Sequence, residues 1–291
     1  MQTIKRILLP TDFSETATNA FKYALLLADQ LDAEIRLLYC LTPAMAVSGV
    51  PNYSANITEK LFKTAQDNML QFMEQGIAEV IGQLDTMPSV TEKVEVGAIV
   101  ESAKSIAESY EYDLIVMGTK GADSVWDEWF GSISSALLMN APCPVLIIPS
   151  TAQFFPYERI CYATDVTWID TYEGSDLMAA FSPMKPNLHF LHVNQELSEA
   201  ASVPLENVNL VYDQRNLPYE VSVAEVTAKD VPAAIIEEAE NMVSDMIVMM
   251  RPHYNFFEQI FHKSKTREVA LHSSIPLLVI NEGPEMEPGF N

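Results

Sequence analysis

One stretch decides the fold: Asp113-Leu-Ile-Val-Met-Gly118-Thr-Lys-Gly121, joined after nine intervening residues by the pair Gly131-Ser132. Residues 114–117 form a continuous apolar run, typical of a parallel strand covered on both faces. Glycines after such a strand can adopt positive φ and let backbone N–H groups approach a ligand closely. Gly131-Ser132 opens the next apolar run, where the free N–H groups of a helix start would also face an anion. The stretch therefore predicts a phosphate-binding loop, unless Gly118 merely ends the strand.

A second element lies at the start of the chain, in Ile4-Lys-Arg-Ile-Leu-Leu-Pro10-Thr11-Asp12. It reads as a short apolar strand that runs into a polar turn. Ser14 or Thr16 would cap the following helix, whose apolar stripe consists of Ala20, Ala24, Leu27 and Leu31. Both strands would end at the same edge of a parallel sheet. Open α/β sheets bind ligands at that edge when the two strands flank the point where strand order reverses.

Length and hydropathy indicate a globular protein. With 291 residues, the chain is long enough for two domains of ordinary size. No stretch reaches the roughly 18 apolar residues of a membrane span, and the first residues lack the apolar segment of a signal peptide. We therefore expect a cytoplasmic protein without a membrane partner. The chain has no CxxC pair among its three cysteines, which are Cys40, Cys143 and Cys161. Their apolar surroundings in the sequence predict buried free thiols.

The formal net charge is −23, and both halves of the chain contribute to it. Residues 1–150 contain 9 basic and 19 acidic side chains, and residues 151–291 contain 8 and 21. No basic stripe could neutralise a nucleic-acid backbone, so we expect no nucleic-acid partner. The acidity is explained by solubility alone. A single nucleotide could still bind through backbone N–H groups, because distant charges are screened beyond about 8 Å.

The chain contains an internal repeat. Residues 6–12 align with residues 159–165, and residues 34–40 with 187–193, at an offset of 153. Residues 113–117 align with 245–249, and residues 144–148 with 276–280, at an offset of 132. This self-similarity indicates a tandem duplication. The difference between 153 and 132 means that the second copy is 21 residues shorter in its middle.

Each copy alternates apolar strands with helices, which predicts an α/β fold with a parallel sheet and helices on both faces. In the first copy we expect strands near residues 4–10, 34–41, 91–97, 113–118 and 144–149. Helices are expected near residues 16–31, 59–84, 99–110 and 131–140, and the 59–84 helix lies where the second copy is shorter. The expected domains are residues 1–150 and 151–291. The strand order does not follow from one sequence.

These residues resemble tandem universal stress proteins, whose nucleotide-binding members carry Gly-x2-Gly-x9-Gly-Ser/Thr at the end of the fourth strand. Gly118, Gly121, Gly131 and Ser132 match that motif fully. The Pro-Thr-Asp strand end and Asn140-Ala-Pro-Cys-Pro-Val also match, and the resemblance covers both repeats. It implies two open five-stranded sheets of order 3-2-1-4-5. It also implies that residues 145–148 and 277–280 pair across the repeats.

The resemblance implies a site for ATP, or for AMP or ADP, with Mg²⁺ as a possible companion. Asp12 would meet the adenosine part, with Pro10 and Thr11 shaping the same turn. Tyr39 and Cys40 would contact adenine through backbone groups, and Met117 would line the base pocket. Ribose and phosphates would be held by Gly118, Gly121, Gly131, Ser132 and Ser134. The alternative for Asp12 is a structural role at the helix start.

The loop between the glycines departs from the family pattern. Asp123, Asp127 and Glu128 would repel phosphates unless they face solvent or a divalent ion. Lys120 is the only cation of the loop, and either phosphate contact or solvent exposure would explain it equally well.

The second copy has lost the motif. At the offset of 132, Gly118, Gly121 and Gly131 become Met250, His253 and Lys263. Ser264 and Asp165 are retained at the positions of Ser132 and Asp12. A Cβ at positions of close backbone approach would block the phosphate, so we expect no ATP binding of the family type in this copy.

The favoured function is that of a stress-response regulatory protein that binds an adenine nucleotide in the N-terminal repeat. The C-terminal repeat would be its intrachain pseudo-dimer partner, and a homodimer of the whole chain is compatible with this arrangement. One alternative is slow ATP hydrolysis, which the absence of a Walker A motif and of an evident general base disfavours. The other is a nucleotide-free interaction scaffold.

Overall fold

The computed structural model describes residues 3–41, 51–119, 135–164, 177–195, 219–250 and 275–280. The strands of the first half are β1 (Arg6–Pro10), β2 (Glu34–Leu41), β3 (Val90–Val96), β4 (Leu114–Thr119) and β5 (Val145–Pro149). Its helices are α1 (Glu15–Leu31), α2 (Pro51–Val80), α3 (Ile99–Ser109) and α4 (Ser135–Asn140), with a 3₁₀ turn (Ile81–Gln83) after α2. The second half contains β6 (Arg159–Ala163), β7 (Asn187–Gln195), β8 (Val221–Ala228), α5 (Val231–Asn241), β9 (Met246–Met250) and β10 (Leu277–Ile280).

The elements of the first half follow the predicted order, and α2 shows the largest difference in its bounds. It begins at Pro51, eight residues before the predicted start at residue 59. The apolar periodicity of this segment starts only at Leu61, so the pattern did not reveal the first turns. Proline is compatible with the first position of a helix, because the N–H there has no helical partner.

The strands form one ten-stranded sheet of order β3-β2-β1-β4-β5-β10-β9-β6-β7-β8. Neighbours within each half are parallel, whereas β5 and β10 are antiparallel, with Leu146 opposite Leu278. Each half thus has the order 3-2-1-4-5, which confirms the predicted order and the pairing across the repeats. Because β5 and β10 cover each other's edges, the two predicted sheets join into one.

The duplication extends to single hydrogen bonds and backbone angles. Asp32 and Lys185, 153 residues apart, both have a φ of 51°. One Asp113 carboxylate oxygen accepts hydrogen bonds from the N–H groups of residues 5 and 6 at the start of β1. One Asp245 carboxylate oxygen accepts from the N–H groups of residues 158 and 159 at the start of β6. The two halves are therefore built by the same local interactions.

The hydrophobic core differs between the two faces of the sheet. On the α1 face, one cluster of described residues runs through both halves, from Leu9 and Phe21 to Phe181 and Leu278. On the opposite face, one cluster lies under α3 and α4 and a separate one lies under α5. On this face, Val279 of β10 belongs to the cluster under α3 and α4, and Leu277 packs against both clusters.

The described helices include none that is long and apolar enough to cross a membrane.

All three cysteines are free thiols. Cys143 and Cys161 are buried as predicted, and burial raises the pKa of each thiol to about 12. Cys40 is only half-buried, because it lies at the end of β2, where the sheet opens.

Candidate functional site

The candidate site lies where β1 and β4 separate at the carboxyl edge of the first half. The β1–β4 register ends at Leu8 opposite Ile115, whereas β1 stays paired with β2 through Pro10. The Thr11 N–H then donates to the Leu38 carbonyl of β2 at 2.9 Å. Because backbone groups alternate sides along a strand, residue 10 would direct its N–H toward β4, and proline has none. Because Pro10 cannot extend the β1–β4 ladder, the two strand ends are not paired with each other at the point where strand order reverses. We call the region between these two strand ends the crevice.

The turn after β1 is held by its own side chains. Thr11 Oγ1 accepts a hydrogen bond from the Phe13 N–H at 3.1 Å, and Asp12 Oδ1 accepts one from the Ser14 N–H at 3.0 Å. Phe13 has a φ of 64°, a left-handed conformation that costs a bulky residue about 1–3 kcal/mol. Ser14, one of the two predicted caps, accepts from the Ala17 N–H at 3.3 Å through Oγ. The turn therefore enters α1 in one defined conformation.

Asp12 has a structural role at the helix start, because one of its carboxylate oxygens stabilises the turn. This role was the alternative to nucleotide contact. Its side chain is nevertheless exposed. The second carboxylate oxygen has no partner among the described residues and can accept from a hydroxyl or amino donor. Both roles are therefore compatible in one residue.

An aromatic wall borders the crevice on the α1 face. The ring centroids of Phe13 and Tyr39 are 4.5 Å apart, and those of Phe13 and Phe72 are 5.7 Å apart. Phe13 and Tyr39 are both only partly buried, so the wall reaches the surface. Aromatic faces of this kind can stack a nucleobase. Sequence reasoning missed Phe13, because a single apolar residue within a polar turn belongs to no periodic pattern.

Gly118 lies within β4, opposite Ile148 of β5. Gly118 does not use the freedom of glycine to adopt positive φ, since β4 continues through it in extended conformation to Thr119. Its lack of a Cβ has a different physical reason. A Cβ at this position would lie 2.4 Å from the carbonyl oxygen of Thr16, so the first turn of α1 packs directly on the Gly118 backbone.

Two further predicted site residues lie on the opposite face of the sheet. Met117 is buried in the cluster under α3 and α4, and Cys40 packs against the same cluster. Burial raises the pKa of the Cys40 thiol, and a hydrogen bond with Ser102 partly offsets this effect. Tyr39 belongs to the α1 face, so the predicted residues bracket the edge of the sheet from both sides.

Part of the predicted site lies outside the described residues. These positions are Lys120, Gly121, Gly131, Ser132 and Ser134 of the first copy, together with Asp165, His253, Lys263 and Ser264 of the second.

The second copy retains the start of the turn but changes its surroundings. The Thr164 N–H donates to the Leu191 carbonyl at 2.9 Å, as Thr11 does to Leu38. His192 occupies the position of Tyr39 at the offset of 153. Its ring nitrogens lie 3.1 Å from the Thr164 carbonyl oxygen and 2.8 Å from Asn194 Oδ1. At the position of Tyr39, a hydrogen-bonded histidine thus replaces the aromatic ring.

A groove of about 470 Å³ lies at the opposite, amino-terminal edge of the strands, between the end of α1 and residues 86–89. Its charged groups bind one another. Lys5 Nζ donates to Asp32 Oδ2 at 2.9 Å, and the Asp29 carboxylate accepts from the N–H groups of residues 85 and 86. These groove side chains already have partners within the chain, and the groove lies at the edge opposite to the predicted site residues.

Known proteins of one family are similar to this chain in sequence and in fold. Residues 3–149 and 180–281 match the profile of the universal stress protein family. A universal stress protein of Methanocaldococcus jannaschii is 31% identical over 144 residues, which are 50% of this chain and 81% of that protein. A universal stress protein structure from Archaeoglobus fulgidus matches 97% of both chains, with 20% identity and a TM-score of 0.68, and so shares the fold. Another universal stress protein, solved in complex with cAMP, matches 51% of this chain and 99% of its own, with 16% identity and a TM-score of 0.35.

Proposed function

The chain belongs to the universal stress protein family, and from this premise we propose that it is a regulatory protein of the stress response. In this proposal, residues 1–150 bind ATP or a related adenine nucleotide at the carboxyl edge between β1 and β4. Residues 151–291 serve as a structural partner without a nucleotide site of the family type.

The separation of β1 from β4 is the observation that carries the proposal. The ladder stops at Leu8 and Ile115, and Pro10 provides no N–H to extend it. The Gly118 end of β4 and the exposed Asp12 carboxylate border the opening. A site there combines a carboxylate for a hydroxyl or amino group with the N–H-rich loop that the glycine motif predicts.

The aromatic wall supports a nucleobase as one part of the ligand. Phe13 is held in a strained backbone conformation by Thr11 and packs its ring on Tyr39. Strained residues persist where the surrounding structure over-determines them, and they cluster at binding sites. An adenine ring could stack on this wall while Asp12 accepts from the ribose.

The partner role of the second half is supported by the junction. The β5–β10 pairing continues the sheet, and the core on the α1 face runs through both halves. Residues 151–291 thereby cover apolar surface that the first half would otherwise expose.

Isothermal titration calorimetry with ATP, ADP and AMP, each with and without Mg²⁺, tests the proposal. We expect binding of at least one nucleotide by the native chain and a loss of that binding in Gly121→Val. The matched control is Gly82→Val, because a Cβ at Gly82 meets no atom within 4 Å. Binding that persists unchanged in Gly121→Val would refute the assignment of the site.

The same samples separate the two alternative functions. No heat with any nucleotide would favour the nucleotide-free scaffold. Phosphate release over many turnovers, lost in Gly121→Val and kept in Gly82→Val, would favour the slow hydrolase.

A further inference from the structure

Helix α1 reaches from the candidate site to the junction between the two halves. Its first turn packs on Gly118, where a Cβ would lie 2.8 Å from the carbonyl carbon of Thr16 and 3.3 Å from the Ala17 nitrogen. Tyr23, seven residues after Thr16, lies about 10 Å further along the helix axis. The same helix therefore contacts both places.

Asn19 clamps the turn that leaves the first half. Its Nδ2 donates to the carbonyl oxygens of Pro149, the last residue of β5, and of Ala152, at 3.0 Å each. The Ala152 N–H also donates to the Pro149 carbonyl at 3.0 Å. A single side chain of α1 thus fixes the start of the segment that connects β5 to β6.

Tyr23 extends this contact into the second half. Its hydroxyl lies 3.0 Å from the Tyr157 hydroxyl, and both side chains are buried. The ring centroid of Tyr157 is 5.4 Å from that of Phe181. Burial raises the pKa of both tyrosines, so both remain neutral donors and acceptors. Residues 19 and 23 are four apart and lie on the same face of α1.

The packing of α1 favours movement of the helix as one body. Nine of its 17 residues are buried, and they are spread from its first turn to its last residue. Packed interiors deform little, so a displacement of the first turn has to move the rest of the helix.

We propose that α1 couples the nucleotide site to the junction, so that occupancy of the site changes the stability of residues 149–157 through Asn19 and Tyr23. This inference rests on the proposed nucleotide site. It adds a regulatory output: the C-terminal half responds to a ligand that it does not bind.

Hydrogen–deuterium exchange of the full chain, with and without saturating ATP and Mg²⁺, tests the coupling. We expect slower exchange in residues 10–20 and also in residues 149–157. The second effect should reach about fivefold, the lower end of typical allosteric couplings. A triple variant, Asn19→Ala with Tyr23→Phe and Tyr157→Phe, should keep the first effect and lose the second. Replacing both tyrosines together leaves no unpaired buried hydroxyl, so this variant should fold.

A second exchange experiment needs no nucleotide. Gly118→Ala displaces the first turn of α1 from the site side, and exchange in residues 149–157 should rise about fivefold or more beyond the rise that the overall loss of stability causes in the other strands. The rise should disappear when the three junction substitutions are combined with Gly118→Ala. Gly82→Ala, with open space around its Cβ, is the control.

The outcomes distinguish this inference from the proposed function. An unchanged junction in Gly118→Ala, or a junction response that survives the triple variant, overturns the coupling. If ATP produces neither heat nor protection while the Gly118→Ala experiment succeeds, the proposed function fails, and only a mechanical link through α1 between the end of β4 and the junction remains.

Discussion

A Cβ placed on Gly118 would lie 2.4 Å from the carbonyl oxygen of Thr16. The end of β4 and the first turn of α1 thus touch backbone to backbone, beside the crevice where a nucleotide is proposed to bind. One glycine of the family motif is therefore required by helix packing, whatever its relation to a ligand.

Gly118→Ala should lower the free energy of unfolding by about 1–3 kcal/mol, because the added methyl group forces α1 away from β4. Urea denaturation of the purified chain measures this loss. Gly82→Ala should leave stability nearly unchanged, since a Cβ there meets nothing within 4 Å. Equal stability of the two variants would contradict the close packing of α1 on β4.

Asp12→Ala should weaken adenine nucleotide binding by about 1–3 kcal/mol, as expected for a lost hydrogen bond to a charged group. Asp12→Asn keeps an oxygen that can accept from the Ser14 N–H, so it preserves the turn while it removes the charge. Calorimetry on both variants separates the two roles. If Asp12→Asn binds like the native chain and Asp12→Ala does not, Asp12 acts through the turn and its charge is dispensable.

Alkylation of the native chain should modify Cys40 before Cys143 and Cys161. The two buried thiols have pKa values raised to about 12, and only the thiolate reacts. Cys40 is half-buried at the edge of the proposed site, so a bound adenine nucleotide should slow its reaction with iodoacetamide. Mass spectrometry of the modified peptides reports each rate. An unaltered Cys40 rate under conditions where calorimetry shows saturation would remove Cys40 from the site.

Acid should destabilise the second half through His189. Its ring is buried, Nδ1 lies 2.8 Å from Ser222 Oγ, and Nε2 lies 3.7 Å from Glu238 Oε1. Burial lowers the pKa of His189, and the Glu238 carboxylate opposes this without cancelling it. Below about pH 6.5, the unfolded chain binds a proton that the folded chain excludes. This contribution therefore lowers stability as pH falls from about 6.5 toward the folded pKa, with a slope of at most about 1.4 kcal/mol per pH unit.

The His189→Leu variant should lack this part of the pH dependence in urea denaturation between about pH 7.5 and 5. Glu238→Gln removes the opposing charge and should extend the loss of stability to lower pH. Identical slopes for the native chain and His189→Leu would show that His189 titrates alike in the folded and unfolded states.

Residues 1–150 expressed alone should form a dimer. Without the second half, the outer edge of β5 and the side of the α1-face core that packs against residues 151–291 would be exposed. Antiparallel pairing of β5 with its copy would cover both surfaces. Light scattering after size-exclusion chromatography measures the mass. A stable monomer would mean that the first half can protect β5 by itself.

The fold followed from the sequence where the patterns were long and repeated. The apolar strands and the two offsets predicted a duplicated parallel sheet, and the family resemblance supplied the strand order and the pairing of β5 with β10. The start of α2 at Pro51 was missed, because no apolar period marks its first turns. Continuity of the core on one face depends on three-dimensional packing, which no sequence period reports.

The sequence predicted where the candidate residues lie in the fold better than what each of them contacts. The Pro10-Thr11-Asp12 turn lies at the edge that the spacing indicated. The helix contact at Gly118 was not predicted, because it depends on Thr16, which is far away in the sequence. The strained Phe13 was not predicted, because a single apolar residue within a polar turn belongs to no periodic pattern. A glycine is compatible with ligand approach and with helix packing alike, and only the position of Thr16 distinguishes the two here.

The antiparallel pairing at the centre of the sheet has a consequence for synthesis of the chain. Strand β10, which pairs with the outer edge of β5, ends at residue 280, about 130 residues after the end of β5. At about 5–20 residues per second, a ribosome needs roughly 7–26 seconds to supply it. During that interval, the outer edge of β5 has no partner strand within the nascent first half, which carries 19 acidic and 9 basic side chains. Until β10 emerges, that edge is also open to the β5 strand of a chain on a neighbouring ribosome, so pairing between chains competes with the intrachain junction.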